Sequence, residues 1–567
     1  MTKPLSLSFL LTVFFCLQAK AQHEPLLLYK VLQEDSCRQW VDSVFNKMTL
    51  EEKVGQLFVY TITPVDTKRN RALLREVVRD RKAGGLLFSQ GVPEIQAILT
   101  NHAQEIAKIP LMITLDGEWG LSMRLKDTPV YPRNTVLGCI SDEQLIYDYG
   151  REVARQCREL GIHVNFAPVA DVNTNPANPV INSRSFGQDP KLVSDNVILY
   201  AAGLESGGIL SVAKHFPGHG DTDTDSHHEL PLLNFTRERL DSIELYPFKQ
   251  AIQAGLGGIM AGHLEVPALE PQKGLPASLS PHIVQHLLRE ELGFKGLVFT
   301  DALAMKGVAG TQHPSLAAIK AGNDMVLVAR NIKEEIEAVI QAIEDGCLDE
   351  ETINRKCKKI LTCKYALGTA HPKKIRLSGL SQRINTAYAH DLGNRLNEAA
   401  VTLAGNKSDA LPLHQSIRKI AVINAGTPEK NAAFEQALEK HLAVEHIQLD
   451  PDMPDDARKQ LDDVLPDCER IVVCLSDEQS ASAVEVFLAG LPAEAPLIYV
   501  FFIPQKHAAA LETALAKAAA VIFAHTDEEN TQEHTAKILL GQATVNGRLS
   551  TSIGNLFKTG DGVTLQK

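Results

Sequence analysis

Eight short apolar runs recur between residues 58 and 328, and most are separated by stretches of helical period. That alternation limits the folds open to the chain more than any other feature. The runs are Phe58-Val59-Tyr60, Gly85-Leu86-Leu87-Phe88, Leu111-Met112-Ile113-Thr114-Leu115 and Val164-Asn165-Phe166-Ala167, then Ile209-Leu210-Ser211-Val212, Gly258-Ile259-Met260-Ala261, Leu297-Val298-Phe299-Thr300 and Met325-Val326-Leu327-Val328. A short, near-continuous apolar run reads as a strand buried on both faces of a parallel sheet. Amphipathic stretches such as Asp142 to Leu160 and Pro281 to Leu292 read as the intervening helices, and Thr49-Leu50-Glu51-Glu52 opens another with a capping box. Eight strands alternating with helices over about three hundred residues predict an α/β chain with a TIM-like (β/α)8 barrel. A doubly wound sheet is the runner-up.

In a barrel of this kind the chemistry collects at the C-terminal strand ends. Polar residues stand at those places. Leu115 runs into Asp116-Gly117-Glu118-Trp119-Gly120, with Arg124 beyond. Ala167 leads to Pro168 and Asp171, then to Arg184-Ser185-Phe186-Gly187. Val212 leads to Lys214-His215, Ala261 to His263, and Thr300 to Asp301. Any one of these could be a turn or N-cap residue. Five in register are harder to dismiss.

The densest cluster follows the fifth run: Lys214-His215-Phe216-Pro217-Gly218-His219-Gly220, then Asp221, Asp223, Asp225, Ser226, His227 and His228. It reads as a Gly-rich loop after a buried strand, a usual seat for chemistry. Asp221-x-Asp223-x-Asp225 resembles the opening of a calcium loop. Ser226 stands where that loop needs Gly, however, and Leu232 where it needs a bidentate Glu. The His spacings match no known zinc signature. A solvated acidic loop whose histidines cap turns is the plainer alternative.

Lys214-His-Phe-Pro-Gly-His-Gly followed by Asp225-Ser226-His227 resembles the signature of the β-N-acetylglucosaminidase branch of family 3 glycoside hydrolases, in its two-domain form. Asp116-Gly-Glu-Trp-Gly with Arg124 is similar to a second family segment, with Trp119 standing where the family has Gly. Arg184-Ser-Phe-Gly resembles a third, and Thr300-Asp301-Ala-Leu-Ala-Met-Lys-Gly the segment bearing the nucleophile. The resemblance implies that Asp116, Arg124, Arg184, Lys214 and His215 bind the sugar. It also implies that Asp301 is the nucleophile, and that His227 is the acid/base oriented by Asp225. No cofactor and no metal are implied.

These residue types suit that chemistry. Carboxylates and a planar guanidinium can each hold vicinal hydroxyls. A retaining glycosidase needs one carboxylate to trap an oxocarbenium-like centre and an acid to protonate the departing oxygen. An imidazole, with an ordinary pKa of ~6.5, can give and take that proton near neutrality. The resulting expectation is a secreted, retaining exo-β-N-acetylglucosaminidase acting on cell-wall (peptidoglycan) or chitin-like oligosaccharides that end in N-acetylglucosamine. One rival is a phosphorylase, since a His acid lacks the negative charge that repels phosphate. Another is a non-catalytic sugar-binding protein.

The rest of the chain frames this expectation. Residues 1–21 carry Lys3, an apolar core from Leu5 to Leu17 and Ala19-Lys20-Ala21, the pattern of a cleaved export signal. An exported protein, periplasmic or extracellular, is expected, with no integral membrane segment after cleavage. Net charge is −12 and the isoelectric point about 5.9, which argues against nucleic acid as a partner. Eight of the nine cysteines lie beyond the signal, without a C-x-x-C pair or disulfide-framework density. The barrel is expected over residues 22–370 and a polar linker over 371–395. A smaller α/β sandwich is expected over 396–567, from five further apolar runs: Ile420 to Ile423, Ile447 to Leu449, Ile471 to Cys474, Leu497 to Ile503 and Val521 to Phe523. An amphipathic stretch from His390 to Leu403 precedes them. Gly547-Arg548-Leu549 resembles a segment of the family's second domain.

Overall fold

A computed structural model describes residues 34–225, 229–328, 330–449, 459–460, 462–478, 484 and 497–567. Eight parallel strands close into a barrel in chain order: β1 Phe58–Ile62, β2 Gly85–Phe88, β3 Met112–Leu115, β4 Val164–Asn165, β5 Leu210–Phe216, β6 Gly258–Ala261, β7 Leu297–Ala302 and β8 Met325–Val328. Val59 pairs with Gly85 on one side and Leu327 on the other, which completes the ring. The eight apolar runs are the eight strands. Every residue of β2, β3, β6 and β8 is buried, as expected when side chains fill the barrel on one face and helices cover the other.

The helices form where local chemistry satisfies their open ends. Thr49 makes the full capping box with Glu52, and Asp142 accepts from the Gln144 and Leu145 N–H groups to start Glu143–Glu159. Among the described residues no helix is long and apolar enough to cross a membrane.

Among the described residues a second sheet holds β9 Thr402–Asn406, β10 Lys419–Ala425, β11 Ala443–Gln448, β12 Arg470–Leu475, β13 Leu497–Phe501 and β14 Ala520–Phe523. Their order is β11-β10-β12-β13-β14-β9. Alternate residues serve two cores. Ala421, Ile423, Val473 and Phe501 pack on one face, and Ile420, Val422, Val472 and Val500 on the other. Five strands are parallel, and β9 runs antiparallel to β14. β9 differs from the sequence expectation. The helix ends at Ala400, and Thr402 onward turns into the edge strand. Residues 380–384 and 387–400, expected in part as linker, are helices whose Leu380, Ile384, Leu392 and Leu396 join the barrel's apolar core. The eight described cysteines are unbridged.

Beneath the barrel, Glu205 on the helix Pro190–Ser206 is buried and accepts from Ser211 Oγ and the Gly257 N–H (3.1 Å). Burial pushes its carboxyl from 4.5 up to about 8. The folded chain therefore keeps a proton that the unfolded chain releases near 4.5, and folding loses this advantage as pH climbs from about 4.5 to about 8. Glu205→Gln should be more stable than the parent at alkaline pH, with the gap closing toward about pH 5. Urea midpoints measured across that range would show it, and a gap independent of pH would contradict the buried-acid assignment.

Candidate active site

The mouth at the C-terminal strand ends is built around carboxylates that the strands deliver. Asp116 follows β3 directly. Its Oδ2 accepts from Arg124 Nη2 (2.8 Å) and its Oδ1 from Lys214 Nζ (2.9 Å). Two residues on, Glu118 is fully buried and takes the Arg184 fork through both oxygens (Nε to Oε2 2.9 Å, Nη2 to Oε1 2.8 Å). Lys214 Nζ reaches Glu118 Oε1 as well (2.8 Å). One lysine thus bridges the two carboxylates, and each carboxylate also holds an arginine.

A second group sits beside the first. Asp171, also fully buried, accepts at Oδ2 from His215 Nδ1–H (2.7 Å) and at Oδ1 from the backbone N–H groups of His215 (3.0 Å) and His219 (2.7 Å). That keeps a proton on His215 Nδ1 and aims its Nε2 at Arg184 Nη2, 3.4 Å away. Lys214 and His215 are consecutive residues of β5, whereas a regular strand sends consecutive side chains to opposite faces. The β5–β6 register shifts between Ala213 and Phe216, and this irregularity lets both side chains serve the mouth. The Lys214–His215 peptide is cis.

Asp301 comes from the end of β7, where the register against β8 also shifts, between Phe299 and Ala302. The Thr300 hydroxyl accepts the Leu327 N–H (3.1 Å), and Asp301 Oδ1 accepts the Ala302 N–H (2.7 Å). His263 Nε2–H donates to the Ala302 carbonyl (3.2 Å), and its Nδ1 accepts from Ser278 Oγ (2.7 Å).

These charges hold one another in their ionised forms. Burial alone would raise the carboxyl of Asp301, but His215, His263 and Lys214 outweigh it and hold the group down at about 2. Asp116 is likewise lowered against its burial by Lys214 and Arg124, and Glu118 by Arg184 and Lys214. Lys214 and Arg184 are raised against their own burial by the same partners. Burial lowers His219 to about 4 and also lowers His263, in each case disfavouring the imidazolium.

Asp116, Arg124, Arg184, Lys214, His215 and Asp301, all singled out in the sequence, converge on this mouth. Lys214, His215 and Phe216 extend β5; they do not begin a loop. His227 lies outside the described residues. Asp225 accepts the Glu229 N–H at its carbonyl (3.1 Å). The acidic run is partly tied down, with Asp221 on Arg239 (3.0 Å) and Asp223 on Asn175 (2.5 Å). Sequence reading assigned no role to Glu118, Asp171 or His263. Their only signal was a polar residue just past a strand end. Trp119 is half-buried, with the Arg133 guanidinium 3.8 Å over its ring.

Comparison with known proteins agrees with this architecture. Residues 49–363, which contain the whole barrel, match the family described as Glycosyl hydrolase family 3 N terminal domain. A beta-hexosaminidase A of Pseudoalteromonas piscicida is 32% identical over 427 residues, 67% of this chain and 70% of that protein. A beta-hexosaminidase of Nitrosomonas eutropha is 33% identical over 321 residues, 53% of this chain and 91% of that protein. The solved structure of a family 3 beta-N-acetylglucosaminidase from Paenibacillus sp. str. FPU-7 is 29% identical, with a TM-score of 0.70. That match covers 89% of this chain and 99% of that one. An eight-stranded barrel with carboxylates at the ends of β3 and β7, and a match to the family's own domain over more than half of the chain, make this chain a member of glycosyl hydrolase family 3.

Proposed function

We propose that the chain is a retaining exo-β-N-acetylglucosaminidase that removes terminal β-linked N-acetylglucosamine from cell-wall or chitin-like oligosaccharides. The observation that carries the reading is Asp301, a carboxylate held ionised at the end of β7 beside a network of Asp116, Glu118, Arg124, Arg184 and Lys214. The names of the hexosaminidase relatives support the choice of sugar.

In this reading the sugar ring docks on the ion network. Asp116 has lone pairs left to accept from hydroxyls. Lys214 gives two N–H groups to Asp116 and Glu118 and keeps a third for a sugar oxygen. Arg184 and His215 complete the grip. Asp301 attacks the anomeric carbon as the bond to the aglycone oxygen breaks, forming a glycosyl ester. His227, oriented by Asp225, gives its proton to that oxygen and then takes one from the water that releases the sugar. Because Asp301 titrates near 2, its anion persists through the whole range in which a histidine titrates. The acid limb of kcat/KM should therefore belong to another group.

The direct test is p-nitrophenyl β-N-acetylglucosaminide with and without phosphate. Free N-acetylglucosamine in both cases supports hydrolysis, and a sugar 1-phosphate would support the phosphorylase instead. Asp301→Ala should abolish turnover, and a fluorinated slow substrate should label Asp301. Label on another residue would remove it from the nucleophile's role.

For His227 the leaving group is the probe. General acid help is worth ~10²–10⁴ in rate. His227→Ala should cost about that factor on a disaccharide and far less in forming the glycosyl-enzyme from an activated aryl glycoside. Equal single-turnover losses on both would leave His227 no acid role. Export joins the proposal through residues 1–21. Mass spectrometry of the exported protein should find Gln22 as its first residue, and an intact leader would refute cleavage.

A further inference from the structure

The second domain touches the barrel where Arg184 is mounted. Ser550 is fully buried at that junction. Its Oγ donates to the Thr135 carbonyl (2.7 Å) and accepts from Gln505 Nε2 (3.0 Å) and the Cys139 thiol (3.5 Å). Its carbonyl accepts the Gln188 N–H (3.2 Å), and Gln188 Nε2 donates to Ser552 Oγ (2.6 Å). The barrel side continues the line. Thr135 Oγ1 donates to the Ser185 carbonyl (3.0 Å), and Asn134 Nδ2 donates to the carbonyl of Arg184 itself (2.6 Å). Ser185 Oγ in turn donates to the Asp171 carbonyl (2.6 Å).

The segment Arg184 to Gln188 is therefore held from both sides. Asn134 and Thr135 grip its start, the Ser550 main-chain carbonyl grips its end, and the Ser550 hydroxyl holds Thr135. There is no slack in the packing. A Cβ on Gly187, whose φ is +156°, would lie 2.4 Å from the Ser550 oxygen, and one on Gly138 would lie 1.8 Å from the Phe186 oxygen. Both fall well inside van der Waals contact, so the backbones approach each other more closely than any side chain at these positions would allow.

We propose that Ser550 is a positioning residue for Arg184, so that the second domain sets the affinity for the sugar through the backbone that carries this arginine. The proposal rests on reading Arg184 as a sugar contact. The arginine fork meets Glu118 in a bidentate geometry that tolerates little displacement, and Arg184 Nη2 also faces His215. A small shift of the backbone would move the guanidinium relative to both.

The test uses the full chain with Ser550→Ala, and Ser552→Ala as a milder lesion on the same line. Ser141→Ala is the control, because Ser141 Oγ bonds the Asn546 carbonyl (2.9 Å) across the same junction without touching the Arg184 segment. On p-nitrophenyl β-N-acetylglucosaminide, Ser550→Ala should raise KM, and the Ki of free N-acetylglucosamine in parallel, by about tenfold, the scale of one weakened charge-assisted hydrogen bond. Its kcat should stay within about twofold. Ser552→Ala should move KM and Ki the same way by less, and still decides the matter if Ser550→Ala does not fold. Ser141→Ala should lower Tm and leave KM and Ki alone.

Unchanged KM and Ki in Ser550→Ala and Ser552→Ala, with only the yield of active enzyme reduced, would overturn the positioning role. An equal rise in KM in Ser141→Ala would overturn it too, by showing general loosening of the junction. If the parent cleaves no N-acetylglucosaminide, the functional reading fails and the proposal falls with it. If the parent cleaves and the variants keep their KM and Ki, the positioning role alone fails.

Discussion

Glu118 has no exposed surface, and two cations at the barrel mouth keep it charged. A carboxylate taken out of water is costly unless it is paired and its lone pairs are filled. Arg184 and Lys214 do both, and in doing so they bind three separate segments to one point: the turn after β3, the segment after β4 and the end of β5. Asp116 and Arg124 extend the same network outward. Removing Glu118 would leave the Arg184 fork without its carboxylate and Lys214 with one carboxylate in place of two, so the mouth behaves as a unit. Such a site is pre-organised: its dipoles and charges are in place before a ligand arrives.

The barrel was largely legible in the sequence because parallel strands are covered on both faces and so read as unbroken apolar runs. The signal failed where strands carry chemistry. Lys214 and His215 interrupt the apolar pattern, so the fifth apolar run stops short of Lys214 although β5 runs to Phe216. β9 escaped for a different reason. Leu403 continues the helical spacing of the preceding stretch, and only the pairing with β14, remote in sequence, draws Thr402 onward into the sheet. The linker expected from its polar composition holds helices, because Leu380, Ile384 and Leu392 find apolar partners on the barrel that composition does not reveal.

The site shows the same division. Residues that stand next to a strand end could be picked out one by one, and Asp116, Arg124, Arg184, Lys214, His215 and Asp301 do converge. Partnership was the illegible part. Glu118 and Asp171 matter through what they hold, and Arg184 and His215 lie 66 and 44 residues away from them in sequence. No local pattern reports such a pairing. The family resemblance implied roles for the converging residues and gave none to Ser550, whose partners Thr135, Cys139 and Gln188 belong to a different domain.

The clasp between Ser550 and the Arg184 segment has a thermodynamic corollary. Coupling between two equilibria is reciprocal: if docking of the second domain strengthens the hold on the sugar, the bound sugar must strengthen docking by the same factor. The second domain then senses occupancy as well as supporting it. Part of the ligand's binding free energy would be expressed as cohesion between two domains whose cores are otherwise separate. An enzyme built this way would be most resistant to proteolysis and heat while its substrate is present, and would loosen at the domain junction first when the substrate runs out.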